Sequence, residues 1–244
     1  MREKRSEEME SLEEVFDRST LMIVYRLLNR GYITNINGAV RSGKESRLYW
    51  GMGLRKKAIA IKIFLTTSAE FLRGRMMYIQ GDERFKNTRR DTRSLVNLWA
   101  LKEFKNLQLA KEVGVRVPAP LKVDGNVLLM EFIGKNGEPA PLLRETPLNH
   151  PARVYDKIAE AVRTLYRDAH LVHGDLSEYN IMMVKTQPVI FDFAQAVITE
   201  HPMAQKFLER DLLRMNYYFS KIGVGVPPMD RLTKWVTEEN VDKN

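Results

Sequence analysis

Residues 171–193 read LVHGDLSEYNIMMVKTQPVIFDF, and no other stretch of the chain concentrates as many chemically useful side chains. Residues 181–184 and 189–193 are each typical of a short strand, and the polar residues 185–188 between them are typical of a turn. The predicted hairpin brings Asn180, at the start of one strand, close to Asp192, near the end of the other. An amide oxygen and a carboxylate oxygen together suit a hard cation, and Mg²⁺ is the natural candidate.

The composition restricts the class of protein. The chain has 244 residues, of which 44% are hydrophobic, enough for one large domain or two lobes with a real core. It has no cysteine, which excludes a disulfide-linked partner, thiolate metal sites and a cysteine nucleophile. Because there is no apolar run of membrane-spanning length and no signal-peptide core, we expect a cytoplasmic protein with no membrane partner. The net charge of +8 favours anionic partners such as nucleotides or RNA, although surface solubility also explains it.

A glycine-containing stretch, NGAVRSGKESRLYWG at residues 37–51, has the composition of a loop that approaches a phosphate closely. Against the Walker pattern Gly38, Gly43 and Lys44 fall in place, but Glu45 stands where a hydroxyl should bind Mg²⁺. Strand-like residues follow instead of a long helix, which disfavours a P-loop NTPase. Two interpretations stay open: an ordinary glycine hairpin, or an interstrand loop that offers N–H groups and hydroxyls to a nucleotide phosphate from Ser42, Gly43, Lys44 and Ser46.

A lysine lies inside the apolar strand pattern AIAIKIF at residues 58–64. Alternation places the three isoleucines on one face and Lys62 on the other. One interpretation is an edge-strand lysine kept in solvent. The other gives it a partner, because residues 95–111 have a helical apolar stripe on which Glu103 lies four residues from both Trp99 and Leu107. Pairing Lys62 with Glu103 would satisfy both charges and hold the lysine ready for a phosphate.

The other segments supply supporting elements. Helical spacing predicts a prefix helix over 19–30 ending at Gly31, and helices over 151–169 and 203–219. Residues 127–132 are typical of a buried strand that leads into a turn, where we place the lobe boundary and where backbone groups of 131–133 can meet an adenine edge. Residues 81–93 are predicted to be a mobile charged loop, more typical of a solvated segment than of an RNA contact.

These parts occur in the order that kinase-type phosphoryl transfer requires: a strand lysine, a helical glutamate, His-x-Asp-x-x-x-x-Asn and a strand-borne aspartate. The sequence resembles the RIO family of atypical protein kinases, and within it the Rio1-type subfamily. The resemblance covers nearly the whole chain. It is carried by LLNRGYI, SGKES, AIKIF, WALKEFKNL, VLLMEFIGK, PAPLL, LVHGDLSEYN and IFDFAQAV.

The resemblance implies an α+β, two-lobed protein-kinase-like fold: a helical prefix (1–36), a small lobe with an antiparallel sheet and a helix (37–133), and a reduced, mainly helical second lobe (134–244). It implies ATP and Mg²⁺ as cofactors, with Mn²⁺ as an alternative, and Asp175 as the catalytic base. Asn180 and Asp192 would bind the metal, and Asp192 would also accept phosphate in a phospho-aspartate. The residues implied in ATP binding are Ser42, Gly43, Lys44, Glu45, Ser46, Lys62, Glu103, Met130, Glu131 and Ile133.

The sequence also departs from ordinary serine/threonine kinases. Ser177 replaces the lysine that follows their base by two residues, and no Ala-Pro-Glu segment follows Asp192, so peptide recognition by an activation loop is not expected. His173 is interpreted as a structural brace. Gly174 also occurs in small-molecule kinases, so an aminoglycoside- or choline-kinase-like enzyme is the alternative. The family resemblance further implies a partner, the small ribosomal subunit precursor with its RNA and protein, on which the chain would act as a kinase, an ATPase or an ATP-gated binding module.

Overall fold

A computed structural model describes residues 16–65, 74–85 and 91–238 of the chain. The charged residues 1–14, whose low apolar content predicts a frayed helical start or a tail, lie outside the described residues, as do residues 86–90 of the predicted loop 81–93. The described part of that loop contains a 3₁₀ turn, Glu83–Phe85, and the start of a long helix.

The chain forms two compact units. The first consists of Met1–Gly74, Asn87–Phe104 and Pro118–Pro139, and the second of Arg75–Lys86, Lys105–Val117 and Ala140–Asn244. The predicted domain limits at residues 36 and 133 stay a prediction.

In the described part of the first unit, two helices accompany seven strands. They are α1 (Arg18–Asn29), β1 (Ile33–Ser42), β2 (Ser46–Gly53), β3 (Ala58–Phe64), α2 (Thr92–Glu112), β4 (Pro120–Asp124), β5 (Val127–Glu131), β6 (Gly134–Lys135) and β7 (Glu138–Pro139). Helix α2 belongs to the first unit up to Phe104 and to the second from Lys105. A 3₁₀ turn, Leu54–Lys56, precedes β3.

A five-stranded antiparallel sheet forms the first unit in the order β1-β2-β3-β5-β4. Strand β3 is interior, with β2 on one side and β5 on the other, so the edge-strand interpretation of Lys62 is wrong. Ile59 and Ile61 of β3 pack in one apolar cluster with Val24 and Leu27 of α1, all at most 1% exposed. The prefix helix is therefore confirmed and covers one face of the sheet.

Local chemistry explains the ends of α1. Asp17 caps its first turn by accepting the backbone N–H groups of Ser19 (3.0 Å) and Thr20 (3.1 Å), which have no partner within the helix. Gly31 follows the helix with φ at 73°, a left-handed conformation that glycine adopts without steric cost. The predicted stop at this glycine is confirmed.

In the described part of the second unit, three helices and two short antiparallel strand pairs follow. They are α3 (Pro151–Arg167), β8 (Leu171–Val172), β9 (Ile181–Val184), β10 (Gln187–Ile190), β11 (Val197–Ile198), α4 (Ala204–Lys221) and α5 (Met229–Thr237). Further 3₁₀ turns span Met76–Tyr78, Leu143–Glu145 and Phe193–Gln195. The predicted helices over 151–169 and 203–219 are confirmed as α3 and α4.

Helix α5 was not predicted, because only one amphipathic helix was assigned after Asp192. The helix directly follows Pro228. Leu232, Trp235 and Val236 are buried at helical spacing. The second unit therefore contains one more helix than was predicted from the sequence.

The hairpin predicted within 171–193 is confirmed, with different limits. β9 and β10 pair in antiparallel register from Gln187–Val184 to Ile190–Ile181. Pro188 lies in β10 and not in the turn, because the strand pairs on one side only and needs no N–H from a proline there. β10 ends at Ile190, so the prediction that Asp192 lies on a strand is wrong. Its backbone is left-handed, with φ 65° and ψ 61°.

The antiparallel sheet and separate helices confirm the α+β class. No described helix is long and apolar enough to cross a membrane.

Candidate active site

In the first unit, Lys62 and Glu103 form the predicted ion pair. Lys62 Nζ lies 2.9 Å from Glu103 Oε1 and 2.7 Å from Oε2. The Glu103 side chain is 1% exposed and that of Lys62 is 12% exposed. A carboxylate buried to this degree is stable only when it is paired, so the lysine on β3 and the glutamate on α2 fix each other's position.

The loop 42–46 connects β1 to β2, as predicted for an interstrand loop. Ser42, Gly43 and Lys44 are exposed, whereas Glu45 and Ser46 are half-buried. The Gly43 N–H donates to the Ser46 carbonyl at 3.0 Å, and the Glu45 carbonyl accepts the Leu65 N–H at 2.8 Å. The Gly43 N–H is used within the hairpin and is not available to a phosphate, whereas the side chains of Ser42 and Lys44 are exposed.

Residues 130–133 continue from β5 into its exit turn. The Glu131 N–H donates to the Ala119 carbonyl at 2.8 Å and the Phe132 N–H to the Ala58 carbonyl at 3.4 Å. The Glu131 carboxylate accepts the Ala119 N–H at 3.2 Å. These bonds hold the exit of the sheet, and Met130 and Ile133 are buried beside them at 8% and 6% exposure.

In the second unit, His173 is a buried brace. Its Nδ1 accepts the Asp175 N–H at 3.3 Å and its Nε2 lies 3.0 Å from the Phe191 carbonyl. These bonds require the neutral ring with the proton on Nε2. Burial lowers the pKa of His173, while the Phe191 carbonyl and the charges of Asp192 and Asp175 offset part of that shift. The imidazole thus joins the segment before Asp175 to the segment before Asp192.

Asp175, the expected base, has partners on both carboxylate oxygens. Oδ1 accepts Arg214 Nη1 at 2.8 Å, and Oδ2 lies 3.3 Å from Gln195 Nε2 and 3.4 Å from Asn180 Nδ2. The side chain is 33% exposed. Among the described residues Oδ2 therefore has only long contacts, and it is the oxygen better suited to accept a proton.

Asn180 and Asp192 both lie at the open end of the hairpin. The Phe191 N–H donates to the Asn180 carbonyl at 3.0 Å, next to the Ile181–Ile190 pair. Asn180 Nδ2 donates to the Asp175 carbonyl at 2.8 Å, so the amide oxygen is the atom left for a cation. One amide and one carboxylate oxygen fit Mg²⁺, which takes few protein ligands when substrate phosphates supply others.

A half-buried arginine adds to the charge around these acids. Burial lowers the pKa of Arg75 to about 10, and the nearby charges of Asp192, Tyr78 and Asp175 offset part of the shift. Asn106 of α2 fixes the turn after Asp192, because its Nδ2 donates to the carbonyls of Phe193 (3.0 Å) and Ala196 (2.9 Å).

Helix α4 anchors the segment around Asp175 through Asp211. Its Oδ2 accepts the Gly174 N–H at 2.7 Å and its Oδ1 accepts the Leu176 N–H at 2.9 Å. Gly174 has φ at 77°, and a Cβ there would lie 3.0 Å from the Gln195 carbonyl oxygen, so a larger residue would strain this turn. Burial raises the pKa of Asp211 to about 7, against the two N–H groups and Arg210, which favour the carboxylate.

Sequence reasoning placed Lys62 with Glu103, and Asp175 with Asn180 and Asp192, but missed the residues that hold them. Asp211 had a usable signal, since it shares a buried helical stripe with Leu208 and Met215, as Glu103 does with its neighbours. Arg214 had none, because an exposed arginine is ordinary on an amphipathic helix. The sequence around Arg75, Asn106 and Gln195 likewise gave no sign of their partners.

A comparison with protein families matches residues 47–232 to the family described as RIO domain. The RIO-type serine/threonine-protein kinase Rio1 of Haloferax volcanii is 37% identical over 237 residues, covering 97% of this chain and 81% of that protein. Human serine/threonine-protein kinase RIO1 is 35% identical over 235 residues, covering 95% of this chain and 41% of that protein. The chain thus spans most of the archaeal relative and less than half of the human one.

Among solved structures, the Rio2 kinase–ADP/Mg²⁺–phosphoaspartate complex from Chaetomium thermophilum superimposes with a TM-score of 0.66 at 22% identity. The match covers 90% of this chain and 66% of that one. This likeness confirms the predicted kinase-like fold.

Removing Glu103 alone should destabilise the first unit, because Lys62 is then left largely buried without its carboxylate. We expect Glu103→Ala to lower the free energy of unfolding by about 3 kcal/mol. The double variant Lys62→Met with Glu103→Leu should recover most of that loss, since it removes both charges and refills the volume. Urea unfolding followed by tryptophan fluorescence measures both.

Lys56→Met is the matched control, because it removes an exposed lysine charge next to the same strand. It should change the free energy of unfolding by less than about 0.5 kcal/mol. The pairing would be contradicted if the double variant lost as much free energy of unfolding as the single variants Lys62→Met and Glu103→Leu lose together.

The raised pKa of Asp211 predicts a pH-dependent stability. Its folded pKa of about 7 exceeds the ordinary value of 3.8, so the folded protein holds a proton there that the unfolded chain releases. This contribution is complete below pH 3.8 and is lost as pH rises through 7. Relative to Asp211→Asn, the wild-type free energy of unfolding should fall by about 1.4 kcal/mol per pH unit between about pH 5 and 6.5. Urea unfolding at each pH checks this, and a constant difference would refute it.

Proposed function

Because this chain belongs to the RIO domain family, we propose that it is a serine/threonine protein kinase that transfers the γ-phosphoryl group of Mg-ATP to a hydroxyl group. The observation that carries the proposal is the ion pair between Lys62 on a central strand and Glu103 on the following helix. Kinases use this pair to hold the nucleotide phosphates. A pair so deeply buried contributes little stability beyond what apolar residues would supply, which favours a chemical role.

On the nucleotide side, we assign Lys62 to the ATP phosphates and Glu103 to holding Lys62. The loop residues Ser42–Ser46 would cover the phosphates. Residues 130–133 would meet the adenine edge. Since the N–H groups of Glu131 and Phe132 are bonded within the sheet, the backbone of Ile133 is the better candidate for that contact.

In the chemical step, Asp175 accepts the proton of the substrate hydroxyl as its oxygen attacks the γ-phosphorus and ADP leaves. Asn180 and Asp192 would hold Mg²⁺, which when bound neutralises charge on the phosphates. The Nδ2 contact of Asn180 to the Asp175 carbonyl keeps the base and the metal ligand in one segment. His173 and Asp211 hold the backbone of that segment from both sides.

A second activity is ATP hydrolysis through Asp192. It is favoured by the similar Rio2 kinase structure from Chaetomium thermophilum, which is an ADP/Mg²⁺–phosphoaspartate complex. In this route a carboxylate oxygen of Asp192 bonds to the γ-phosphorus as the bond to ADP breaks, and water then cleaves the acyl-phosphate to give inorganic phosphate. A cytoplasmic role in maturation of the small ribosomal subunit is proposed from the family resemblance and the net charge of +8.

Asp175→Asn should abolish transfer and retain nucleotide binding, because the proton acceptor is lost while Lys62 and the loop are unchanged. We expect the transfer of label from ATP to the hydroxyl group of an acceptor protein to fall about 10²- to 10⁴-fold. The dissociation constant for Mg-ATP, measured with a fluorescent analogue, should stay within about twofold of wild type. Asp168→Asn, an exposed acid elsewhere in the second unit, is the control. Wild-type protein that neither binds nor consumes Mg-ATP would sink the proposal, and full turnover in Asp175→Asn would refute the role of Asp175.

The hydrolytic route predicts a phosphorylated enzyme. After a single turnover with labelled ATP and acid quenching, we expect hydroxylamine-sensitive label on wild-type protein and none on Asp192→Asn. Phosphate release should be slow for the chain alone and faster with purified small-subunit precursor, if the particle triggers hydrolysis. Absence of acyl-phosphate during turnover would leave Asp192 as a metal ligand only, and an unchanged release rate with the precursor would argue against the ribosomal role.

A further inference from the structure

The ion pair between Arg214 and Asp175 joins helix α4 directly to the proposed base. Arg214 Nη1 lies 2.8 Å from Asp175 Oδ1, and the two side chains are 42% and 33% exposed. Exposed ion pairs contribute between about 0 and 1 kcal/mol to stability. Stability alone therefore does not explain this ion pair. Because Arg214 contacts the proposed base, the pair points to a role in the reaction.

The pair distinguishes the two oxygens of the Asp175 carboxylate. Oδ1 has a short, charge-assisted bond to the guanidinium, whereas the contacts of Oδ2 within the described part of the chain, to Gln195 and Asn180, are longer, at 3.3 and 3.4 Å. A carboxylate held firmly at one oxygen cannot rotate freely about its side-chain bond. Oδ2 is thus presented in a constant direction, as a general base requires.

Helix α4 is a rigid support for this arrangement. Arg214 lies three residues after Asp211, so both side chains project from the same face of the helix. Asp211 bonds the backbone on each side of Asp175, at Gly174 and Leu176. Arg210 also contacts the Gly174 carbonyl. One helix therefore holds the backbone around the base through Asp211 and the base itself through Arg214.

The catalytic segment lacks a positive charge of its own near the base. Ordinary serine/threonine kinases have a lysine two residues after the base, and this chain has Ser177 there. The Ser177 hydroxyl accepts the Tyr179 N–H at 3.4 Å and has no charge to offer. Arg214 brings a cation to the same carboxylate from a different element.

We propose that Arg214 is a positioning residue that holds Asp175 Oδ1, so that Oδ2 accepts the proton of the substrate hydroxyl, and that it supplies the positive charge absent at Ser177. This inference rests on the proposed function, since it needs Asp175 to act as the base. It requires Arg214 to affect the chemical step and to leave nucleotide binding unchanged.

The test compares Arg214→Gln and Arg214→Lys with Lys206→Gln, which removes one exposed positive charge from the same helix. Single-turnover transfer of label from Mg-ATP to dephosphorylated casein gives the rate of the step in which Asp175 would act as the base. We expect Arg214→Gln to lower this rate about tenfold, with the Mg-ATP dissociation constant within about twofold of wild type. Arg214→Lys should recover part of the rate, and Lys206→Gln should match wild type.

Chemical rescue of the rate and a measurement of thermal stability distinguish a role of Arg214 in the reaction from a purely structural role. Guanidinium ion at millimolar concentration should restore part of the rate of Arg214→Ala, and sodium chloride at equal ionic strength should not. The thermal midpoint of Arg214→Gln should match that of wild type. Wild-type turnover in Arg214→Gln, equal losses of rate and of Mg-ATP affinity, or no rescue by guanidinium would each overturn the inference. Failure of wild-type protein to consume ATP would instead overturn the proposed function.

Discussion

The buried carboxylate of Asp211 accepts the backbone N–H groups on both sides of Asp175, and the geometry of the second unit's catalytic segment depends on those two bonds. Removing a carboxylate from water is costly, and burial accordingly raises its pKa to about 7. The two N–H donors and the neighbouring Arg210 offset that cost. The segment around Asp175, which is neither helix nor strand, is thereby fixed to a long helix, and this keeps the proposed base in place.

The first unit also contains a buried carboxylate that is satisfied by a specific partner. Glu103 is buried on a helix and Lys62 on a central strand, and each satisfies the charge of the other. Buried charges of this kind seldom improve stability over apolar side chains, so their presence marks positions where the chemistry needs a charge. In both units these buried charged groups lie on helices or strands, while the loop 42–46 and the open end of the hairpin carry exposed and half-buried polar groups that suit phosphate and metal.

Sequence reasoning succeeded where an effect was local or where a charge interrupted an apolar pattern. The hairpin of β9 and β10, the helix stop at Gly31 and the partnership of Lys62 with Glu103 were all visible in this way. It was wrong about Asp192, because Pro188 was interpreted as a turn residue and the second strand was placed too late in the chain. Helix α5 was missed because it is only nine residues long and its apolar stripe has only three buried residues.

By itself, the sequence determined the apolar patterns, the caps and the spacing of the catalytic segment, since these depend on neighbours a few residues away. It also marked Glu103, because a carboxylate on a buried helical stripe must find a cation or hydrogen-bond donors. Only the tertiary structure decided that Arg214 meets Asp175 and that Asn106 holds the turn after Asp192. Those contacts join residues 39 and 87 positions apart in sequence. An exposed arginine carries no local signal of its partner, because its charge is already satisfied by water until the fold brings a carboxylate to it.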